Sequence, residues 1–542
     1  MYIPVKIKVM NSILTIGLLC LSMASHSYAS STDASSQQWV LQIGEFSDAE
    51  SANTLEEEIS DAGFTTQTVV TGSPDEQHYT VIAGESNDQA ELLDLKDSIE
   101  TATGTRGLVA KRTIGSGQDK AVFQQPRSRY LLAQNTEPQI QPGDSTRIQT
   151  YDSSLSRTPQ QDIASMPGFT AGGLQILPTI GITVGYDDNI TMASQGEIES
   201  FFYMISPAIR VELPSDHWLL SLTAGVDFIR YTDSPIDDRE YWFLRGEWVW
   251  DISTRQDLNL FAQYSEGADQ RGTGRRQGNA GLIELPLDEW RLWDMGGEWD
   301  YGAIGARGRL VLRAGAADLY YTNNREATGD YNGTARLDRD WYYLGGTFYW
   351  RVAPKTSLLA EYLYTDMNYS FDSASDSVIQ SYLLGVTWNA TARTSGIIKY
   401  GYMERKYDQQ GKPGYDGPTW AATINWRPRT YSLFSLTGTR STQEPETYGD
   451  YIVRQDVTLS WLHDWATRFG TTVDVGFGQD DIRTNNQTTR TDDLFYWGVA
   501  ARYTFNPHIR LGASVTGYDR DSDVLQYDYD QLIYMLTLEA SF

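Results

Sequence analysis

Residue types that support enzyme chemistry are few and widely separated along this chain of 542 residues. Its thiol and imidazole groups are limited to Cys20, His26, His78, His217, His463 and His508. The sequence contains no Gly-x-Ser-x-Gly elbow, no glycine-rich phosphate loop and no clustered spacing of metal ligands. Asp519, Asp521 and Asp523 are close together, but they lack the glycine and the distal glutamate of an EF-hand, which indicates a solvated acidic loop. We therefore expect no enzyme activity, no cofactor and no metal site.

Charged side chains recur instead at alternate positions of apolar segments in the C-terminal two-thirds of the chain. Alternation with period two puts such side chains on one face of a strand. The residues predicted to line the inner face of a channel in this way are Arg210, Arg245, Arg309, Arg313, Arg502, Arg510, Asp227, Glu361 and Asp474. A mixed-charge lining suits a hydrated polymer, including an anionic one. The alternative is that these charges serve only to pair with one another across the wall.

The elements that must position these side chains are strands with one apolar face and one polar face. In Trp218 to Phe228, for example, the even positions are apolar, and Ser221, Thr223 and Asp227 lie between them. Eighteen such segments begin near residues 177, 199, 217, 240, 256, 288, 307, 338, 356, 376, 394, 416, 430, 449, 467, 492, 507 and 526. Tight turns alternate with long polar connections, for which we predict the ranges Ala268 to Leu285, Asn323 to Asp338, Asp408 to Asp416 and Asp480 to Thr491. This pattern predicts an eighteen-stranded antiparallel outer-membrane β-barrel over residues 175–542, with short periplasmic turns and long outer loops.

The final segment is the sharpest single signal. Its apolar positions Tyr534, Leu536, Leu538 and Phe542 alternate with Met535, Thr537, Glu539 and Ser541, and Phe542 is the last residue of the sequence. A terminal aromatic residue in this setting resembles the signal that the outer-membrane barrel insertion machinery recognises, and the resemblance implies that machinery as a partner. The alternative is an ordinary edge strand, although an unpaired apolar edge of this length would invite aggregation.

Composition and the N-terminal segment agree with an outer-membrane protein. The formal net charge of −28 argues against binding to nucleic acid, and 34 Tyr and 16 Trp suit the aromatic girdles of a barrel. Lys6 and Lys8 precede a short apolar stretch that ends at a small-residue cleavage site, so residues 1–29 are predicted to be a signal peptide. We expect the protein in the bacterial outer membrane, in contact with membrane lipid and lipopolysaccharide.

Residues 38–113 predict a small α/β domain with the element order βαββαβ, which folds as one sheet with both helices on one face. Residues 114–173 are rich in Gln, Ser, Thr, Asp and Pro, and they predict a disordered polar linker. Both segments are expected in the periplasm.

The small domain resembles the SPOR family of periplasmic modules that bind peptidoglycan glycans. The similar residues are Trp39-Val-Leu-Gln-Ile-Gly44 with Phe46, and Tyr79-Thr-Val-Ile-Ala-Gly84. The resemblance implies glycan contacts by Gln42, Trp39 and Tyr79. Thr80, Ile82 and Ser86 depart from the family pattern. Peptidoglycan binding and a role as a spacer or docking platform therefore both stay open.

The C-terminal region resembles the putative β-barrel porin 2 family. The resemblance rests on Gly185-Tyr186-Asp187-Asp188-Asn189-Ile190, on the strand count and on the terminal Phe542. It implies an outer-membrane channel for export of an exopolysaccharide or capsular polysaccharide, supplied by periplasmic polysaccharide export proteins. The alternatives are a general diffusion porin for small solutes, a structural tether between outer membrane and peptidoglycan, and, ranked last, a membrane-embedded hydrolase.

Overall fold

A computed structural model of the chain describes residues 36–46, 55–56, 59–60, 64–73, 76–86, 92, 95, 99, 108–114 and 168–542, apart from 216, 279–284, 303–305, 327–332, 392 and 446–447. The predicted signal peptide and most of the predicted linker lie outside these residues. In the described part of the chain, no helix combines the length and the apolar character needed to cross a membrane. The structure forms two compact units, and each is described by itself.

The N-terminal unit contains a four-stranded antiparallel sheet with the strand order β2-β3-β1-β4. The strands are β1 (Ser36–Phe46), β2 (Gln67–Ser73), β3 (Glu76–Ser86) and β4 (Leu108–Ile114). Residues 55–56 and 59–60 between β1 and β2, and residues 92, 95 and 99 between β3 and β4, are helical, as the predicted βαββαβ order requires. Leu41, Ile59, Val81, Leu92 and Ile99 are buried together, so the helices cover one face of the sheet and make the core.

The C-terminal unit is a closed antiparallel barrel in which every strand pairs with its neighbours in chain order. Its eighteen described strands are β6 (Leu174–Asp187), β7 (Ser200–Pro214), β8 (Trp218–Tyr231), β9 (Arg239–Ser253), β10 (Gln256–Asp269), β11 (Asp288–Tyr301), β12 (Gly308–Tyr321), β13 (Arg339–Ala353), β14 (Thr356–Tyr369), β15 (Ser377–Thr391), β16 (Thr394–Tyr407), β17 (Tyr415–Arg429), β18 (Ser432–Gln443), β19 (Tyr451–Ala466), β20 (Phe469–Thr484), β21 (Gln487–Asn506), β22 (Ile509–Ser522) and β23 (Tyr529–Ser541). The predicted fold class is confirmed, because closure pairs the last strand with the first and leaves no open edge to lipid.

The two faces of each strand differ as the alternating sequence requires. On β15, for example, Tyr382 and Leu384 are 50% and 70% exposed on the outer surface, while Ser381 and Leu383, which alternate with them, are buried. The apolar outer face is the one that lipid covers in the membrane, and the inner face carries most of the polar groups. The thickness of the bilayer also sets strand length. Most strands have 13 to 16 residues, which is enough to cross the bilayer at a tilt.

One predicted loop is wrong. Residues 480–491 were expected to form a long polar connection, but β20 continues to Thr484 and β21 begins at Gln487. The connection is a two-residue turn, and both Asn485 and Asn486 have positive φ, 50° and 60°. Two consecutive positive φ values match a type I′ hairpin turn, in which asparagine is favoured. The polar residues here belong to strands that extend beyond the apolar band, where both faces of a strand are wet.

The barrel also begins earlier than predicted. The short strand β5 (Phe169–Ala171) pairs back onto the start of β6 through Gly172 and Gly173, both of which have positive φ. These residues lie inside the segment predicted as linker. They are exposed, which explains why the sequence there shows no apolar periodicity.

Four of the outer connections share a turn that the sequence analysis did not identify. Each contains a three-residue 3₁₀ turn followed by an aspartate, at Asp238, Asp338, Asp376 and Asp528. In each case the aspartate Oδ1 accepts the backbone N–H of a residue at the end of the preceding strand, at 2.7–2.8 Å. The carboxylate therefore accepts a hydrogen bond from a backbone N–H at the end of the strand, beyond the strand ladder.

Candidate functional site

The inner wall of the barrel is the candidate functional site. The nine residues predicted to line a channel occupy the face opposite the exposed apolar side chains: Arg210 on β7, Asp227 on β8, Arg245 on β9, Arg309 and Arg313 on β12, Glu361 on β14, Asp474 on β20, Arg502 on β21 and Arg510 on β22. The period-two alternation of the strands explains this common placement.

One set of these charges forms a connected line across the inner wall from β11 to β16. Arg313 lies between two carboxylates, 2.6 Å from Glu298 and 3.6 Å from Glu361. Glu361 also pairs with Lys399 at 3.0 Å and accepts a hydrogen bond from Thr347 at 2.8 Å. Because each charge has an opposite neighbour, this part of the wall presents little unbalanced field to the lumen.

A second line follows β7 to β10. Arg210 pairs with Glu212 at 2.6 Å and reaches Glu247 at 3.9 Å. Arg245 pairs with the same Glu247 at 2.7 Å and donates to Gln263 at 3.0 Å. The alternative that these charges pair across the wall is therefore observed here. Pairing and channel lining are compatible, since the pairs lie on the inner face.

Other predicted lining residues keep more of their surface accessible. Arg309 pairs with Asp300 and is 46% exposed, and Arg502 pairs with Asp464 at 3.6 Å with both side chains about half exposed. Asp227, Arg502 and Arg510 line a cavity of about 200 Å³ on the inner wall formed by β6–β8 and β19–β23. Its wall also includes hydroxyl groups of Thr183, Ser206, Thr472, Ser514 and Thr537. Such a surface exchanges hydrogen bonds readily with a hydrated solute.

At the outer mouth, connections between strands fold inward instead of extending into solvent. Glu444, just after β18, is buried and pairs with Arg405 on β16 at 2.6 Å. Neither side chain is more than 2% exposed. Glu444 also accepts a hydrogen bond from the Tyr369 hydroxyl at the end of β14. The chain after β18 is therefore attached to the wall four strands away.

The connection after β18 also contacts the wall on the side of β21. The Arg490 guanidinium on β21 lies 5.4 Å from the ring centre of Tyr448 and 3.9 Å from that of Tyr527. Its Nη2 also donates to Gln277, from the connection between β10 and β11, at 3.2 Å. Arg490 thus joins three outer connections at one point of the mouth. The contacts of Arg490 with Tyr448, Tyr527 and Gln277, together with the Arg405–Glu444 pair, are called the mouth contacts below.

The Arg405–Glu444 pair is electrostatically stable. Burial alone would raise the pKa of Glu444, but the charge and hydrogen bond of Arg405 together with the charge of Arg339 lower the pKa below its ordinary value of 4.5. Glu444 is therefore ionised inside the protein at neutral pH. No local sequence pattern marks the mouth contacts, because Arg405, Glu444 and Arg490 lie far apart in the chain.

The other predicted site residues lie on the terminal strand of the barrel and in the small domain. Tyr534, Leu536, Leu538 and Phe542 lie on the outer face and are 46%, 61%, 39% and 66% exposed. Tyr79 packs against the core of the small domain. The side chains of Trp39 and Gln42 lie outside what the structure describes. Their glycan contacts, and that of Tyr79, stay predictions.

The described residues contain no group of three or more His, Cys, Asp or Glu side chains arranged to hold a metal ion. The Asp519 and Asp521 side chains belong to β22, and Asp523 follows its end. The predicted solvated loop is therefore a strand end that continues into a short connection.

A model of the family described as "Putative beta-barrel porin 2" matches residues 165–542, and a model of the SPOR domain matches residues 35–111. No curated protein matches the chain. The first match therefore spans every strand of the barrel, and the second spans nearly all of the small sheet.

Several solved structures are similar to this chain at low identity. The siderophore receptor PirA from Acinetobacter baumannii is 8% identical with a TM-score of 0.40, over 68% of this chain and 80% of that one. The copper transporter OprC is 9% identical with a TM-score of 0.40, over 69% and 81%. A bacterial polysaccharide outer membrane secretin is 11% identical with a TM-score of 0.30, over 68% and 98%.

Proposed function

The chain belongs to the "Putative beta-barrel porin 2" family and carries an N-terminal SPOR domain, and from that premise we propose that it is an outer-membrane channel for export of an exopolysaccharide or capsular polysaccharide. The observation that carries the proposal is the inner wall, where charges of both signs are already paired and hydroxyl groups lie between them. Such a wall binds a hydroxyl-rich polymer at many weak sites. Conduction requires that kind of binding, strong enough for entry and weak enough for release.

The mouth contacts favour a gated conduit over a general diffusion porin. A porin for small solutes works with a permanently open lumen, whereas here three outer connections meet at Arg490. We expect the polymer to be delivered by periplasmic export proteins, which also supply the energy, while outer-membrane lipid and lipopolysaccharide surround the apolar outer face.

Deletion of the gene tests the export proposal. Released polysaccharide should fall to background and return when the full chain is supplied in trans. As a second measurement, the purified protein in planar bilayers should show low conductance that rises when the mouth contacts are broken. Unchanged polysaccharide release in the deletion strain would refute export, and a large open conductance of the unmodified protein would support the small-solute porin instead.

We propose that the protein has no hydrolytic activity towards its polymer. The inner-wall carboxylates support this, since those described above are engaged by arginine, lysine or hydroxyl partners instead of flanking a free position. Incubating the exported polysaccharide with purified protein should leave its chain length unchanged. Shortened chains would revive the hydrolase alternative.

The SPOR domain supports a second role, attachment to peptidoglycan. We propose that the domain binds glycan strands and so holds the barrel near the cell wall. Full-length protein should sediment with purified sacculi, and a Gln42→Ala variant should sediment less. No sedimentation of the unmodified protein would leave the spacer or docking role.

The exposed terminal strand supports recognition by the barrel insertion machinery. Removing Phe542, which is 66% exposed on the outer face, should reduce the amount of folded barrel in outer membranes several-fold. Leu525→Ala provides a control, because Leu525 is 78% exposed but lies in an outer connection. Equal amounts for both variants would contradict this role.

A further inference from the structure

The seam between the last strand and the first differs from the other strand junctions, because no turn joins its two strands at either end. The ladder between β23 and β6 runs from Ser541 opposite Thr179 to Ile533 opposite Asp187. On its other side β23 pairs with β22 out to Tyr529. The outer end of β23, residues 529–532, therefore has no strand partner on the β6 side, and its edge must be satisfied in another way.

Side chains of the segment after β6 pair this edge. Asp188 Oδ1 accepts the backbone N–H of Leu532 at 2.7 Å, and the Asp188 N–H donates to the Leu532 carbonyl at 3.2 Å. Asn189 Nδ2 donates to the carbonyl of Asp530 at 2.9 Å. The ladder is thus continued beyond the end of β6, partly by side-chain atoms.

The same segment is held from inside the barrel. Gln531 Nε2 donates to both carboxylate oxygens of Asp187 at 2.9 Å and to the Asn189 carbonyl at 3.0 Å. Asn189 is fully buried and fixes the next turn by donating to the Ala193 carbonyl and accepting the Ala193 N–H. These hydrogen bonds hold Asp187 and Asn189 against Gln531 at a buried position, where the amide nitrogen of Gln531, and not its oxygen, makes the contacts.

Apolar contacts complete the attachment. Beyond Asn189 the chain turns inward, and Ile190 and Met192 are buried. They pack in one cluster with Phe202 and Tyr231 from β7 and β8, and with Tyr518, Tyr529 and Ile533 from β22 and β23. The segment therefore contacts strands on both sides of the seam at once.

We propose that Asp187, Asp188 and Asn189 form a seam clasp, a device that locks β23 to β6 and keeps the barrel closed. Every other junction is closed by a covalent hairpin, which brings the strands back together after local opening. The seam has no such connection. Opening of the seam within lipid exposes unpaired backbone groups of β6 and β23. Contacts at the outer end of the seam therefore replace the hairpin that holds the strands together at every other junction.

The experiment compares Asp188→Ala with two matched variants in the full chain. Asp188→Asn keeps an acceptor oxygen for the Leu532 N–H. Asp238→Ala removes an equivalent bond, from Asp238 Oδ1 to the Tyr231 N–H at 2.8 Å, but at the hairpin between β8 and β9. The readouts are the fraction of unheated protein that migrates as a compact barrel in SDS gels, and the rate of unfolding in detergent. Asp188→Ala should unfold about tenfold faster than the parent, because the partly buried backbone N–H of Leu532 loses its acceptor, and Asp188→Asn should match the parent.

A covalent seam separates a clasp from a general contribution to stability. Thr183 and Thr537 face each other across the seam with their hydroxyl oxygens 3.0 Å apart, so T183C with T537C has suitable geometry for a disulfide. When oxidised, this pair should restore the slow unfolding of Asp188→Ala and leave the loss in Asp238→Ala unchanged. If Asp188→Ala alone yields no folded barrel, the test is whether the oxidised T183C, T537C pair restores a folded barrel to that variant. An Asp188→Ala variant identical to the parent, or one that the crosslink does not rescue, overturns the proposal.

Discussion

Buried ion pairs at the outer mouth show how a single residue can hold an outer connection in place. Arg405 and Glu444 are both withdrawn from solvent, so removal of one charge leaves the other unpaired in a poorly hydrated environment. The loss of a partner from a buried pair costs about 3–5 kcal/mol. That amount is large compared with the contacts that a short connection makes elsewhere.

We predict that Glu444→Gln releases the connection after β18 from the wall. The single-channel conductance in planar bilayers should rise, because the released chain no longer occupies the mouth. Glu404→Gln is the matched control: Glu404 pairs with Lys406 at 2.7 Å on the outer surface, where side chains are 30% and 65% exposed. Exposed pairs contribute about 0–1 kcal/mol, so this variant should conduct like the parent. The same increase in both variants would contradict the role of Glu444.

The pH dependence of the mouth follows from the lowered pKa of Glu444. A carboxyl whose pKa is lower in the folded protein than in the unfolded chain stabilises the fold above the unfolded pKa, and this contribution disappears as pH falls through the folded value. We therefore predict that conductance stays low from neutral pH down to 4.5 and rises only below it. Recording conductance from pH 7 to pH 3 checks this, and an increase already near pH 6 would be inconsistent with it. In Glu444→Gln the step should be absent.

At the scale of elements, the hairpin between β20 and β21 shows where sequence reasoning fails. Inside the apolar band, alternation identifies a strand, as it does for Tyr382 and Leu384 on β15. Beyond the band, both faces are wet, so a strand and a loop have the same polar composition. Only the turn residues Asn485 and Asn486, with their positive φ, distinguish the two.

We predict that Asn485→Val destabilises this hairpin by about 1–2 kcal/mol, because a β-branched residue pays a steric cost in the left-handed region. Asn485→Gly should be neutral within a few tenths of a kcal/mol, since glycine adopts positive φ freely. The midpoint of guanidinium unfolding in lipid vesicles measures both. Equal midpoints for the two variants would show that the turn conformation is not required.

For the whole molecule, the sequence sufficed to predict the strand number, the closed barrel, its location and the face on which Arg210 or Glu361 lies. These properties depend on a repeating local pattern and on the bilayer, which acts on every strand alike. The inward connections and the mouth contacts were not predictable. They depend on pairs such as Arg490 with Gln277, whose residues are distant in sequence. Such residues meet only because the folded chain brings groups of complementary shape and charge together.

We predict that the barrel tolerates an added charge on its inner face far better than on its outer face. Leu384→Arg places a guanidinium near the middle of the bilayer, which costs about 2–4 kcal/mol. Ser514→Arg places the same group on the inner wall beside the cavity and should cost much less. Unfolding of both variants in lipid vesicles decides the matter, and equal destabilisation would argue that the assigned faces are wrong.

The inward connections also determine what the cell displays to its surroundings. Glu444 and residues 189–193 are buried, whereas Asn485, Asn486 and Gln487 are exposed at the tip of a long hairpin. An antibody or a bacteriophage that approaches from outside meets that tip before the folded mouth. Antibodies raised against whole cells should therefore bind mainly at the hairpin tip.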